Sequence, residues 1–174
     1  MSKSINRSII IVADYFANEI SGGGEINNEV LYELLIESDI AVEKIKSGHV
    51  TLSFLEENKN NFFIIANFMH LAEECKRVLL DLDYCIYEHD HKYLRSRNPA
   101  MYDNFIAPKT EIVNLLFYKK ARAVFCQSNM HCTIVKNNTG LENIINLGGN
   151  LWSDETLSIL EALSEQEKVS DCFS

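Results

Sequence analysis

Hydrophobic and polar residues alternate along the chain in blocks that predict six strands separated by helices. The run Ile9–Ala13 contains no polar residue, which is typical of a strand buried on both faces of a parallel sheet. Similar short runs recur at residues 40–47, 62–66, 83–87, 123–126 and 143–147. The pattern predicts an α/β fold: a single Rossmann-like three-layer domain over residues 1–164, with a mostly parallel sheet of about six strands and helices on both faces.

Three other stretches carry expectations about local structure. A polar, aromatic-rich loop of about 20 residues follows the fourth strand, and loops of that length are uncommon and usually functional or mobile. A helix is predicted over residues 111–121, and Trp152 is expected to anchor the last helix against the sheet. Residues 165–174 are polar and are expected to form a disordered tail.

Three consecutive glycines, Gly22, Gly23 and Gly24, separate the first strand from a helix that is predicted to start at Glu25. A strand, a glycine loop and a helix N-terminus open many doubly wound domains, and the free N–H groups of such a helix suit a phosphate. The spacing matches neither G-x-G-x-x-G nor a P-loop. A flexible turn remains an equal interpretation, and the helix dipole alone accounts for Glu25.

Polar or glycine-rich residues follow five of the predicted strands, at residues 14–25, 67–70, 88–97, 127–129 and 147–150. Ligands of open parallel sheets bind beyond the carboxyl ends of the strands. Because these ends meet at one edge of the sheet, the five exits are expected to share one rim. This placement is the main sequence argument for a binding site.

The densest of these exits is Glu88-His89-Asp90-His91, and three interpretations compete for it. A metal site is the least favoured, because no second cluster of ligands accompanies the His-x-His pair. General acid/base chemistry is the second interpretation, and the most favoured is a loop whose histidines hydrogen-bond their neighbours. A histidine and a carboxylate at a strand exit also suit recognition of sugar hydroxyls.

Cationic and hydroxyl side chains near this exit also have two interpretations. Lys92, Arg95 and Arg97 could meet a phosphate or an acidic substrate, or they could belong to a solvated loop. Ser128 lacks the G-x-S-x-G context of a nucleophile, and N-capping of the following helix explains it better.

Bulk properties exclude several classes of protein. The net charge of −9 argues against a general nucleic-acid binder. No apolar run reaches the roughly 18 residues of a membrane span, and the run behind the basic N-terminus is too short for a signal peptide. Five widely spaced cysteines without C-x-x-C are expected to be reduced thiols. A cytoplasmic location is therefore expected.

Five segments in order resemble the N-terminal half of GT-B glycosyltransferases, enzymes in which two Rossmann-like domains face a cleft. The segments are IIIVAD, the late GGGE, YEHDHKYLRSRNPA, AVFCQSNMH and INLGGNLWS, and together they extend over residues 9–153. No single motif is diagnostic, and the order of the five carries the resemblance.

The resemblance implies roles for particular residues. Gly22, Gly23, Gly24 and Glu25 would lie against the phosphates of a nucleotide-sugar donor. The domain itself would shape the site of a sugar or glycan acceptor. The implied catalytic residues are Glu88, His89 and Asp90, and the implied acceptor-side residues are Asp14, His91, Arg95, Arg97, Ser128 and Asn129. The resemblance implies no required cofactor and no metal.

Enzymes of this type also need a second domain that binds most of the nucleotide sugar. The E-x-x-x-x-x-x-E signature of that domain does not occur in a suitable place here. The chain is therefore expected to depend on a C-terminal domain or a partner chain, and to be inactive in isolation. The alternative is a free-standing Rossmann-like module that binds a nucleotide or phosphate without transfer chemistry, with a homodimer as one form.

Overall fold

Six parallel strands form one sheet in the computed structural model, which describes residues 7–20 and 22–165. The strands are β1 Ile9–Ala13, β2 Val42–Lys46, β3 Phe62–Ile65, β4 Tyr84–Tyr87, β5 Val124–Cys126 and β6 Ile144–Asn146. Their order across the sheet is β2-β1-β3-β4-β5-β6, and every pair is parallel. The predicted Rossmann-like α/β fold is confirmed. The predicted tail lies outside the described residues beyond Glu165.

Helices cover the two faces of the sheet unequally. The six helices are α1 Gly23–Glu37, α2 Leu52–Glu57, α3 Glu73–Leu79, α4 Leu115–Lys120, α5 Asn129–Thr139 and α6 Asp154–Ser164. Helices α2 to α5 contribute to the larger core, through buried side chains such as Leu55, Leu79 and Tyr118. The smaller core on the other face receives Leu31, Tyr32 and Leu35 from α1. Helices α2 to α5 pack on the first face, so on the second face α1 covers only part of the sheet.

The strand order reverses at β1, which lies between β2 and β3. In doubly wound sheets, the crevice at such a reversal is where ligands bind. Asp14 lies at this reversal, at the end of β1, and accepts hydrogen bonds from the backbone N–H groups of Met69 and His70, at 3.1 and 3.2 Å. The hydroxyl of Ser47 donates to the same carboxylate. Asp14 therefore joins the exits of β1, β2 and β3.

The loop after β4 is more ordered, and the helix after it shorter, than the sequence predicts. Three short 3-10 turns, Pro99–Met101, Asp103–Phe105 and Lys109–Glu111, interrupt the loop. Ile112 pairs with Leu94 as an antiparallel bridge, and Val113 N–H donates to the carbonyl of Tyr93 at 2.8 Å. Asn114 has a positive φ of 54°, so the helix begins at Leu115 instead of at residue 111.

Thiols and membrane character agree with the sequence in the part of the chain that is described. Cys75, Cys85, Cys126 and Cys132 are free, and the first three are buried. Among residues 7–20 and 22–165, no helix combines the length and apolar character needed to cross a membrane.

Candidate functional site

The first turn of α1 lies beside the carboxyl ends of β4 and β5, and together they enclose a cleft. Its volume is about 240 Å³. Its lining residues come from α1, from the exits of β4 and β5, and from the segment between β6 and α6: Gly23, Gly24, Ile26, Asn27, His89, Gln127, Asn150 and Trp152. We call this the rim cleft. It joins four of the five strand exits that the sequence predicts to share a rim, all except residues 67–70.

The glycines give the rim cleft access to the N-terminus of α1. Gly22 is the N-cap and provides no side-chain hydrogen bond to the first turn. A side chain at Gly23 would meet nothing within 4 Å, so this residue opens onto free space. A Cβ at Gly22 would collide with the carboxylate of Glu25, which folds back over the N-cap. The positive end of the helix dipole therefore faces one acidic side chain and one open glycine.

His89 forms the wall of the rim cleft opposite Gly24. Its ring carbons Cγ and Cδ2 lie 3.6 and 3.7 Å from the position that a Cβ of Gly24 would occupy. Both ring nitrogens are engaged: Nε2 lies 3.0 Å from Asn28 Oδ1, and Nδ1 lies 3.0 Å from Gln127 Nε2. Because an amide oxygen only accepts and an amide nitrogen only donates, these partners assign the Nε2–H tautomer.

The environment keeps His89 neutral. Burial lowers the pKa of His89 to about 4, and the charge of Lys92 adds to that effect. With both nitrogens occupied and the ring uncharged, His89 connects α1 to β5. In this arrangement it has no free nitrogen with which to take a proton.

Asn27 fixes the base of the cleft. Its Oδ1 accepts from the hydroxyl of Tyr87 at 3.1 Å and from the backbone N–H of Leu151 at 2.8 Å. Its Nδ2 donates to the carbonyl of Gly23 at 3.1 Å. One buried amide therefore joins α1, β4 and the segment that follows β6. Its neighbour Asn28 is fully buried, and within the described residues its Nδ2 has no hydrogen-bond partner.

Trp152 lies at the opening of the rim cleft, where its side chain is 48% exposed. The expectation that it anchors α6 against the sheet is therefore wrong. An exposed indole beside the amides of Gln127 and Asn150 offers an apolar ring together with donors and acceptors. Such a combination suits a ring-shaped ligand that carries hydroxyl groups.

Glu88, which directly precedes His89, and Lys92 are both fully buried. Lys92 Nζ is 3.7 Å from Glu88 Oε1, and the other carboxylate oxygen accepts from the hydroxyl of Tyr118. Burial alone would raise the pKa of Glu88, but the Lys92 charge and the Tyr118 hydrogen bond outweigh it and hold that pKa below its ordinary value. Glu88 is a charged structural group in this arrangement.

Two of the implied catalytic residues have a carboxylate. That of Glu88 is buried, whereas 39% of the Asp90 side chain is exposed. Asp90 pairs with buried Lys92, and Arg97 Nη1 donates to its Oδ2 at 3.1 Å. Arg97 is thus neutralised by Asp90, and the nearest acidic partner of Arg95 is Glu111, at 3.9 Å. The predicted cationic cluster is divided: Lys92 and Arg97 both contact Asp90, whereas Arg95 lies near Glu111.

The remaining acceptor-side residues have structural partners. Ser128 caps α5 by accepting from His131 N–H at 3.1 Å, as the sequence predicts. Asn129 accepts from the side chain of Asn146 at 2.8 Å. His91 Nδ1 lies 3.0 Å from the hydroxyl of Tyr93, and burial lowers the pKa of His91 to about 4.

The structure therefore brings some of the predicted site residues together and separates others. Gly23, Gly24 and His89 line the rim cleft, with Gly22 and Glu25 at its helix end. The sequence pattern identifies the exits that hold Gln127 and Asn150 but assigns neither residue a role. It predicts that Trp152 anchors the last helix against the sheet. The sequence feature that could have identified these residues is their position in the segments that follow β5 and β6.

Fold and cleft define an α/β protein with a polar cleft at the carboxyl edge of a parallel sheet. No protein-family model matches the chain, and a comparison with curated proteins finds no match to it. In the described residues, no group of three or more histidine, cysteine, aspartate or glutamate side chains is arranged to hold a metal ion.

Proposed function

We propose that the chain is the acceptor-side domain of a nucleotide-sugar-dependent glycosyltransferase, and that the rim cleft is its sugar-binding site. The observation that carries this proposal is the meeting of the α1 N-terminus with His89, Gln127, Asn150 and Trp152 in one open cleft. Fold and cleft are compatible with the GT-B resemblance, which itself remains part of the proposal.

The chemistry of the cleft lining favours a sugar. Glu25 provides hydrogen-bond acceptors, and Gln127 and Asn150 provide both donors and acceptors. The indole of Trp152 gives a flat apolar surface on which a pyranose ring could lie. The first-turn N–H groups at Gly23 and Gly24 suit an oxygen of high electron density, such as a phosphate of the donor.

The exposure of the cleft supports a site shared with a second domain. Ile26 and Trp152 are exposed apolar side chains at its edge, and Gly23 is exposed as well. A donor-binding domain, in the same polypeptide or another, would cover this side and bring the nucleotide sugar across the cleft. Under this proposal the isolated chain does not transfer sugar.

We assign the role of general base to Asp90. Glu88 is buried and held by Lys92 and Tyr118, and His89 is neutral with both nitrogens bonded. Asp90 is the implied catalytic residue with a partly exposed side chain, but Lys92 contacts its Oδ1 and Arg97 donates to its Oδ2, so Arg97 has to release Oδ2 before Asp90 can act as a base. A carboxylate base needs a positioned hydroxyl within hydrogen-bond reach, which an acceptor in the neighbouring cleft would provide.

A free-standing nucleotide- or phosphate-binding module is the second candidate. The absence of a side-chain cap from Gly22, within the described first turn of α1, favours it, because uncapped N–H groups suit an anion. The carboxylate of Glu25 already occupies this end of the helix, so a phosphate there requires the Glu25 side chain to move under either candidate.

Calorimetric titration with UDP, GDP and their sugars, together with methyl glycosides, separates the two candidates. The acceptor-domain proposal expects weak or no nucleotide binding by the isolated chain. It also expects glycoside binding that changes Trp152 fluorescence and is lost in Asn150→Ala. Micromolar UDP or GDP binding that Gly23→Val abolishes would favour the free-standing module. The control is Ser53→Val, the same residue introduced at the exposed start of α2.

A further inference from the structure

A second, larger cavity lies on the α1 side of the sheet and has a volume of about 490 Å³. We call it the apolar groove. It is lined by side chains of α1, β3, β4 and β5 and by the segment that follows β6: Leu31, Ile64, Cys85, Tyr87, Phe125, Leu147, Gly148, Gly149, Asn150 and Leu151. Six of these ten residues carry apolar side chains, and the volume lies within the range of small-molecule sites.

The groove exists because α1 leaves part of this sheet face uncovered. Parallel strands are normally buried on both faces, so Cys85 and Phe125 are apolar on the α1 side as well. The helices after β2, β3, β4 and β5 contribute to the core on the opposite face, and α1 packs against the smaller core with Leu31, Tyr32 and Leu35. The floor formed by β4 and β5 therefore stays open beside α1.

One end of the groove is closed by a fixed piece of backbone. Residues 147–151 form a wall, and the N–H of Leu151 is tied to Asn27 Oδ1 at 2.8 Å. The same oxygen accepts from the hydroxyl of Tyr87, so β4 is part of the closure. The cavity is thus a slot between a helix and a tethered segment, with its polar groups at one end.

That polar end adjoins the rim cleft. Asn150 lines both cavities, and Asn27 and Leu31, one turn apart on α1, line the cleft and the groove respectively. A single ligand can therefore place a hydroxylated head in the cleft and an apolar tail in the groove. If the groove were only a gap in the packing, its polar end would not be expected to lie beside the polar rim cleft.

We propose that the groove holds the apolar aglycone, an alkyl or isoprenoid chain, of an amphiphilic acceptor whose sugar lies in the rim cleft. This inference rests on the proposed function, because it takes the cleft as the acceptor site. The class of substrate is then a glycolipid-like amphiphile instead of a free sugar.

The test compares decyl glucoside, below its micelle-forming concentration, with methyl glucoside on the full chain. Methyl-labelled NMR follows Leu31, Ile64, Leu147 and Leu151, and fluorescence follows Trp152, which is the only tryptophan. The test variant is Leu147→Glu, because Leu147 is 46% exposed and lines the groove. The matched control is Leu52→Glu on α2, where the leucine is 50% exposed.

The expected result has three parts. Decyl glucoside binds at least about tenfold more tightly than methyl glucoside, since several methylene groups leave water. Only the decyl compound shifts the groove methyl signals, whereas both compounds change the fluorescence of Trp152. Leu147→Glu removes the advantage of the decyl chain and leaves methyl glucoside binding unchanged, and Leu52→Glu alters neither.

Other results overturn the inference, and they separate it from the proposed function. Equal affinities, with groove methyls unmoved, refute the apolar subsite but leave the sugar site standing. Response of the groove methyls without any change at Trp152 refutes the shared ligand and argues against the sugar site. Sedimentation that shows a dimer dissolved by Leu147→Glu assigns the groove to a second copy, whose α6 exposes Leu157 and Leu160, and refutes the proposal.

Discussion

Lys92 Nζ lies 3.7 Å from Glu88 Oε1, and both side chains are entirely removed from solvent. The pair is part of a longer network, because Lys92 also contacts Asp90, and Asp90 accepts from Arg97 at 3.1 Å. Glu88 accepts in addition from the N–H of Asp90 at 2.9 Å. The network fixes the exit of β4 to the first part of the following loop, and so it positions His89 in the rim cleft.

We expect Lys92→Met to lower the free energy of unfolding by about 3–5 kcal/mol, because it leaves the buried Glu88 charge without its partner. Adding Glu88→Gln should recover much of the loss, since no uncompensated charge then remains. Lys59→Met is the control, because the Lys59–Glu56 pair is exposed and such pairs contribute about 0–1 kcal/mol. Urea unfolding measures all four proteins, and equal losses for Lys92→Met and Lys59→Met would contradict the assignment.

At Gly23 we expect stability and ligand binding to change in opposite directions. Gly23→Asp places a carboxylate at the first turn of α1, where the helix dipole favours it by about 0.3–1 kcal/mol. The same charge would repel a phosphate, so binding of a phosphate-bearing ligand at this end of α1 should fall at least about tenfold. Gly23→Asn, a neutral residue of similar size, separates charge from bulk.

Thermal unfolding and calorimetry provide the two readouts for Gly23. The side chain has free space, because a Cβ there meets nothing within 4 Å, so a loss of stability in Gly23→Asp would contradict the placement of this residue. Equal binding by the Asp and Asn variants would show that no anion approaches the α1 N-terminus.

Most of the fold could be predicted because each buried strand is a run of apolar residues with clear polar flanks. Ile9–Ala13 has the same bounds in the structure as in the sequence pattern. The helix over residues 111–121 was predicted too long, because apolar spacing at Ile112 and Val113 also fits a strand-like bridge to Leu94. Only the tertiary pairing decides between these two conformations.

The site was harder to predict because burial, and not residue type, separates its structural groups from its accessible ones. Glu88 and Asp90 are both carboxylates at one strand exit, yet the first is fully buried and the second reaches solvent. The sequence pattern assigns Trp152 to the core, as it would most tryptophans, whereas the short link between β6 and α6 places it at the cleft. Local sequence contains no signal for either difference.

We expect the stability of the protein to fall as the pH is lowered from about 6.5 to about 4. His89 has its pKa lowered from 6.5 to about 4, mainly by burial, so over this interval the unfolded chain binds a proton that the folded protein does not. Stability therefore rises with pH in this window and is complete above the unfolded pKa. The effect of His89 alone is about 3 kcal/mol.

Urea unfolding at a series of pH values measures this dependence. His89→Gln should reduce the slope of the curve between about pH 4 and 6.5, because glutamine does not titrate there and can still bond Asn28 and Gln127. The remaining slope comes in part from His91, whose pKa burial also lowers to about 4. Exposed His49→Gln serves as the control and should leave the slope as in the parent protein. Glu88 adds a further loss at lower pH in all three proteins, so the difference between curves isolates His89. An unchanged slope in His89→Gln would refute its burial in the neutral form.

Asn27 holds the polar end of the apolar groove beside the rim cleft. Asn27→Leu removes the acceptor of both Tyr87 and the N–H of Leu151, and leaving two donors unpaired should cost about 2–5 kcal/mol. Tyr87→Phe removes only the hydroxyl, so its cost should be smaller, about 1 kcal/mol.

Amide hydrogen exchange at Leu151 distinguishes the two variants directly. In Asn27→Leu the amide should exchange much faster, because its hydrogen-bond acceptor is gone and residues 147–151 are no longer held to α1. In Tyr87→Phe the amide should stay protected, since its bond to Asn27 remains. If Leu151 exchanges equally fast in both variants, Asn27 does not fix the segment after β6. The groove would then lack the fixed polar end that adjoins the rim cleft.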